Sequence, residues 1–187
     1  IIKVLHFDLL ETKKIESELT KIYSKTDRLN LVILNAAEPH GGLFELTKVD
    51  EIKKIFQVNF FSQIFIIQRL LRLLKKTKNS SIINISSLSS LIPLRGNIAY
   101  GGSKASINFF TKILAKELKI YGIKVNAIAP TILKNKMGRK TDINTAKLLL
   151  KSSSKKTGID MKLVVNKILY LISKKGNSIN SKIIKVL

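Results

Sequence analysis

Short runs of aliphatic residues alternate with long helical stretches from one end of this chain to the other. That alternation restricts the fold more than any other feature. Residues 1–5, 29–34, 81–85, 123–129 and 179–187 read as strands. Between them fall a helix over 12–25, with Ile15, Leu19 and Ile22 at helical spacing, and one long helix over 50–76. A second long helix over 100–121 stops at Gly122, and an amphipathic helix covers 160–174. Strands joined through helices run parallel, so the expected fold is a three-layer α/β domain with helices on both faces of a parallel sheet. The nearly continuous apolar run at 29–34 suits a strand buried on both faces. Residues 131–158 are polar and poorly periodic, and read as a flap or a set of short helices. With no internal repeat and no linker, residues 1–187 form one domain.

Composition narrows the function classes. The absence of cysteine excludes disulfides, thiolate metal sites and a thiol nucleophile, and fits a reducing, cytoplasmic location. His6 and His40 lie apart from any carboxylate cluster, so no metal site is expected. The best candidate for a membrane span, 55–68, has 14 uncharged residues and includes Gln57, Asn59, Ser62 and Gln63. It reads as a buried helix, since a membrane span needs about 20 largely apolar residues. The net charge is +22, with seven Lys/Arg against nine Asp/Glu in residues 1–51 and 27 against three in 52–187. A surface this basic can attract nucleic acid. Yet 29 Lys, 28 Ile and 13 Asn are what an AT-rich coding sequence favours, and the two lysine clusters, 75–78 and 151–156, are not interleaved with aromatics. Compositional bias therefore accounts for the charge, and nucleic acid is not the expected partner.

The residues able to do chemistry gather at strand ends. Tyr100 and Lys104 stand four apart in Y-G-G-S-K, on one face of a helix, and Ser87 lies thirteen residues upstream at the end of a strand. A phenol ordinarily ionises near pH ~10, and a neighbouring ammonium brings that down toward the range useful for acid–base catalysis. A hydroxyl at the strand end can hold a carbonyl oxygen while the phenol protonates it. In a lysine-rich chain the pair alone is weak evidence, for Tyr170 and Lys174 repeat the spacing. Position separates them. Asn35, Ser87 and Pro130 all end strands, and open α/β sheets bind ligands at that carboxyl edge. Tyr100 begins the helix that follows Ser87, whereas Tyr170 lies late in an ordinary surface helix.

These elements together resemble the short-chain dehydrogenase/reductase family. The match is carried by L-N-A-A at 34–37, V-N at 58–59, I-I-N-I-S-S at 82–87, Y-G-G-S-K at 100–104 and V-N-A-I-A-P at 125–130. The resemblance implies a Rossmann-type, doubly wound parallel sheet and an oxidoreductase that interconverts a carbonyl and an alcohol with NAD or NADP. It implies Tyr100 as general acid or base, Ser87 as the group orienting the carbonyl, and Lys104 as the residue that lowers the Tyr100 pKa and holds the nicotinamide ribose. Asn59 would anchor a water linking Lys104 to solvent. Ser86 is the poorer candidate, because adjacent strand residues face opposite ways. Asp8 would lie near the adenine, and Asn35, Ala36 and Ala37 beside the adenosine ribose. The segment from Pro130 through Thr131 and Leu133 to Asn135 would line the nicotinamide side. Ala37, Thr131 and Asn135 depart from the family's usual residues, tolerably for binding.

One expected motif is absent. The family's T-G-x-x-x-G-x-G turn, which admits the cofactor's pyrophosphate, does not occur, and no glycine precedes Gly41. The first strand-like run resembles the family's third strand. We therefore expect the fold without its first two strand–helix units, in a fragment of a longer reading frame that lacks the phosphate grip. In the family's sheet order, 3-2-1-4-5-6-7, the run at 1–5 would then lose its neighbours and the strand at 29–34 would keep a bare edge. The resemblance also implies a homodimer or homotetramer formed through the helices at 50–76 and 100–121, where Phe56, Phe60, Phe61, Phe65, Phe109 and Phe110 lie. The substrate would be a small or carrier-bound carbonyl or alcohol. The narrower reading is a 3-oxoacyl-carrier-protein reductase, and the rivals from other classes are a non-catalytic binding protein and a charge-driven nucleic-acid binder.

Overall fold

The computed structural model describes residues 4–139 and 143–187. Four strands form one parallel sheet in chain order: β1 (Leu31–Leu34), β2 (Ser81–Ile85), β3 (Lys124–Pro130) and β4 (Ile183–Val186). The register sets Leu34 beside Asn84, Ile85 beside Ile128, and Pro130 beside Val186. The carboxyl ends of β1, β2 and β3 thus finish along one edge.

Helices cover both faces. Val32, Leu34, Ile82 and Val125 point to the side where α1 (Thr12–Tyr23), α3 (Ser62–Lys75) and α4 (Ile98–Glu117) close a core around Ile15, Leu74 and Leu118. Ile83, Ile85 and Ile128 point to the other side, against Val164 and Leu171 of α7 (Met161–Ile172). Adjacent positions of β2 feed different cores because strand side chains alternate between faces. All five β2 residues are buried, including polar Asn84, whose Nδ2 donates to Thr111 Oγ1 at 2.8 Å. Asp160 caps α7, its carboxylate accepting the Lys162 N–H at 2.8 Å. Gly122 ends the 3-10 turn that continues α4, in the left-handed conformation a glycine adopts without strain (φ 69°).

Three expectations need correction. Val4 and Leu5 are not in a strand, and residues 1–3 of that predicted run lie outside the described residues. A strand exists by pairing, and Val4, 67% exposed, has no partner strand among the described residues. The strand at 29–34 is not buried on both faces, for Ile33 is 41% exposed. It points to the side of α7, which packs on β3 and β4 rather than β1. The long helix is three pieces: α2 (Val49–Phe56), a π-helical turn at Gln57–Phe61, and α3. Within 131–158 the structure has the second of the two expected forms, short helices, α5 (Lys136–Arg139) and α6 (Ile143–Ser152), while residues 140–142 lie outside the described residues.

Candidate active site

The turn leaving β2 and the first two turns of α4 meet at the sheet's carboxyl edge. Ser87 caps a 3-10 turn at Leu88–Ser90, its Oγ accepting the Ser89 N–H at 3.2 Å. The loop that follows folds back tightly enough that a Cβ on Gly101 would come within 2.5 Å of Asn97 Nδ2 and 3.1 Å of the Ser89 carbonyl oxygen. That glycine allows α4 to start against the Ser87 turn. There the Ser87 hydroxyl lies beside the Tyr100 phenol. Burial holds Tyr100 above the ordinary phenol range, and the neighbouring Ser87 hydroxyl partly offsets this by favouring the phenolate.

Lys104 lies one turn further along α4 and is 1% exposed. Its Nζ donates to the Ile85 carbonyl oxygen at 2.8 Å and sits 6.0 Å from the Tyr100 ring centroid. Burial lowers its pKa to about 8, so at neutral pH it is still mostly the ammonium. A single hydrogen bond among the described residues leaves two of its three N–H groups available to a ligand.

Asn59 is fully buried in the π-helical turn. Its Oδ1 accepts the Glu38 N–H at 2.8 Å, and its Nδ2 donates to the Glu38 carbonyl at 3.0 Å and to Ser103 Oγ at 3.1 Å. Ser103 in turn donates to the Tyr100 carbonyl at 2.7 Å. Asn59 therefore joins the loop after β1 to the helix that carries Tyr100 and Lys104. The π-turn widens the helix at this point, a feature frequent at functional sites. Gln63 extends the same seam by donating to the Ala36 carbonyl at 2.8 Å, and the Ser62 hydroxyl bonds the Leu9 carbonyl. Sequence reasoning missed Ser103, Ser62 and Gln63. Ser103 stood inside Y-G-G-S-K, but nothing in the spacing marked the other two.

The structure thus brings Asn59, Ser87, Tyr100 and Lys104 together. The other predicted positions are more spread out. Asn35 and Ala36 are exposed just beyond β1, and Ala37 is half-buried. Asp8 is exposed on the turn before α1, its carboxylate accepting the Leu10 N–H at 2.9 Å. Pro130 and Thr131 are buried at the end of β3. Thr131 Oγ1 lies 3.3 Å from Ser153 Oγ and 3.4 Å from the Leu149 carbonyl, so its hydroxyl is turned to α6 and the turn beyond it. Leu133 bridges to Ile159, and Asn135 Oδ1 accepts the Gly138 N–H at 2.8 Å. Tyr170 is 43% exposed on α7, which ends at Ile172, so Lys174 shares no helical face with it. Among the described residues no His, Asp or Glu cluster could hold a metal ion.

Comparison with known proteins agrees with this fold. Residues 2–146 match the family model described as short chain dehydrogenase. An NAD-dependent glycerol dehydrogenase of Listeria innocua is 32% identical over 133 residues, which are 68% of this chain and 49% of that enzyme. The chain therefore spans about half of that relative's length. A short chain dehydrogenase from Burkholderia cenocepacia, solved in complex with NADP, superposes with a TM-score of 0.86 at 20% identity, covering 96% of this chain and 72% of that one. A 3-ketoacyl-(acyl-carrier-protein) reductase from Brucella melitensis complexed with NADH gives 0.84 at 20% identity, covering 96% and 74%. With a family match over most of its residues and a parallel sheet flanked by helices, the chain belongs to the short chain dehydrogenase family.

Proposed function

We propose that this chain performs the proton transfer of a reversible carbonyl–alcohol interconversion in which NAD or NADP carries the hydride. The observation that carries this reading is the Ser87 hydroxyl beside the Tyr100 phenol, with the Lys104 ammonium buried one helical turn away and bonded to the Ile85 carbonyl, at the carboxyl edge of a parallel sheet. In reduction, Ser87 holds the carbonyl oxygen and Tyr100 delivers its phenolic proton to that oxygen. In oxidation, the phenolate takes the proton back. Lys104 supplies the positive charge that makes the phenolate accessible. Asn59 has its side chain committed to Glu38 and Ser103, so the water relay assigned to it would start from its main-chain carbonyl.

The residues present suit one half of the cofactor. When bound, the nicotinamide supplies the hydride. Lys104, with two free N–H groups, and Tyr100 would hold its ribose, and Pro130, Thr131, Leu133 and Asn135 would flank the ring through main-chain groups. The reason is that the Thr131 hydroxyl and the Asn135 side chain are already engaged. Asn35, Ala36 and Ala37 would border the adenosine ribose, on a loop kept in place by Gln63 and Asn59, with Asp8 near the adenine. No glycine-rich turn occurs in the sequence, so the pyrophosphate is assigned to none of these residues.

The reading is tested with the protein translated from its complete reading frame. Oxidation of NADH or NADPH should depend on an added carbonyl compound, across a panel that includes a 3-oxoacyl-carrier protein. No carbonyl-dependent oxidation with either cofactor contradicts it. The carrier-bound member belongs in the panel because the basic surface would suit an acidic carrier, although compositional bias explains the charge without one.

We also propose that two copies associate through the π-turn and α4. Phe61, Phe109 and Ile113 are 53%, 68% and 42% exposed there, while Phe65 and Phe110 pack into the chain's own core. Phe60 meets Phe110 edge-on at 6.0 Å between ring centroids. Phe109→Asp would place a charge in that contact and should shift the sedimentation coefficient to that of a monomer, with the helical circular dichroism unchanged. An unchanged assembly would rule out this face.

A further inference from the structure

Next to the Ser87–Tyr100 pair lies a second, half-buried hydrogen-bond joint that the reading above does not use. Its centre is Ser90. The Ser90 hydroxyl donates to the Ser87 carbonyl, which also accepts the Ser90 N–H at 3.0 Å. With its proton so placed, Ser90 Oγ accepts from Asn108 Nδ2 at 2.7 Å and lies 3.1 Å from Ser86 Oγ. Ser86 Oγ also reaches the Lys104 carbonyl at 3.3 Å. One serine thus ties the strand end holding Ser87 to the helix holding Lys104, on both sides of the turn.

The helix side is equally specific. Asn108 follows Lys104 by four residues and Tyr100 by eight, so all three lie along one face of α4. Asn108 is 7% exposed, and its Oδ1 is buried without a hydrogen-bond partner among the described residues. A buried amide acceptor left unpaired costs stability, so a leucine of similar size would suit packing as well or better. What leucine cannot supply is the N–H that grips Ser90.

We propose that Ser90 and Asn108 are positioning residues, which clamp the Ser87 turn to the Tyr100–Lys104 face of α4 and thereby hold the Ser87 hydroxyl in register with the Tyr100 phenol. The significance for catalysis rests on the proposed oxidoreductase reading, but the clamp itself does not. A Ser87 hydroxyl displaced by a fraction of an ångström no longer meets both the phenol and a substrate oxygen, and misplacements of that order are expensive in rate.

The test therefore has a spectroscopic arm and a kinetic arm. The protein is labelled with ¹³Cζ-tyrosine, whose shift reports hydrogen bonding to the phenol. The Tyr100 signal is assigned by its loss in Tyr100→Phe, and the Tyr23 and Tyr170 signals serve as internal controls. In Ser90→Ala and in Asn108→Leu the Tyr100 signal should move in the direction seen in Ser87→Ala, at least half as far, with Tyr23 and Tyr170 unmoved. Ser90→Thr, which keeps the hydroxyl, should restore it. A Tyr100 signal at the wild-type position in Asn108→Leu or Ser90→Ala overturns the clamp, as does a signal that Ser87→Ala leaves unmoved. Asn108→Leu keeps the question open to measurement if Ser90→Ala fails to fold. In the kinetic arm, kcat falls about tenfold with the cofactor KM unchanged. If the wild type shows no turnover, the oxidoreductase reading fails while the spectroscopic arm still decides the clamp.

Discussion

Replacing Tyr100 with phenylalanine is expected to lower kcat by about two to four orders of magnitude, the range that general acid–base catalysis contributes. The loss follows from the single atom removed. The phenol oxygen is the group beside the Ser87 hydroxyl, and the site offers no other acid at that point. Lys104 is turned to the Ile85 carbonyl, and Asn59 is fully engaged with Glu38 and Ser103. Cofactor affinity should fall no more than a few-fold, because Lys104 remains to hold the ribose when the phenol's contact to it is lost. The fold should survive, since the ring and its packing remain. Stopped-flow turnover and equilibrium cofactor binding on the same preparation check this. A variant that keeps turnover within a few-fold would remove Tyr100 from the mechanism.

The second large effect concerns stability. Lys104 is almost wholly buried and has its pKa lowered by burial from 10.5 to about 8. Below pH 8 the amine is protonated in both the folded and the unfolded chain, and the folded state bears the whole cost of burying a charge. Between about pH 8 and 10.5 the unfolded chain binds the proton and the folded chain has released it, so stability rises with pH across that window. The span of about 2.5 pH units corresponds to about 3 kcal/mol. Comparing the wild type with Lys104→Met cancels the titration of the other lysines. Relative to that variant, the wild type should gain about 3 kcal/mol in denaturant unfolding as pH rises through the window, and nothing below it. At pH 7 the methionine variant should be the more stable, less the cost of leaving the Ile85 carbonyl unbonded. A wild-type advantage that does not vary with pH would show that the ammonium is not desolvated.

The sequence revealed what depends on periodicity and spacing. Ser87 at the end of an isoleucine-rich strand and Tyr100 at the start of the next helix fall on the same edge whichever residues fill the loop between them. Their thirteen-residue separation was therefore enough to bring them together. The π-turn was not legible, because 50–76 is apolar on more than one side, which hides the change of face an extra residue produces, yet it decides where Asn59, Ser62 and Gln63 point. Ser90 and Asn108 carried no signal for a different reason. Each is an ordinary polar residue by itself, and only the return of α4 against the Ser87 turn makes them partners. The apolar run Leu31–Leu34 looked suited to burial on both faces, and its composition still says so. Ile33 is exposed because burial depends on what packs opposite it, and α7 packs elsewhere on the sheet. At Thr131 the residue's departure from the family pattern was visible, but not that its hydroxyl would turn to α6 and Ser153.

The central claim is that Ser87, Tyr100 and Lys104 serve a hydride transfer between a nicotinamide and a carbonyl carbon. Deuterium tests it most directly. NADH and NADPH deuterated at C4 are incubated with the protein from its complete reading frame and a panel of carbonyl compounds, and the alcohols formed are examined by mass spectrometry. The account predicts one deuterium on the carbinol carbon, from one face of the nicotinamide only, and none above background with Tyr100→Phe. Alcohol formed without deuterium, or deuterium transferred equally well by the Tyr100→Phe variant, would contradict it.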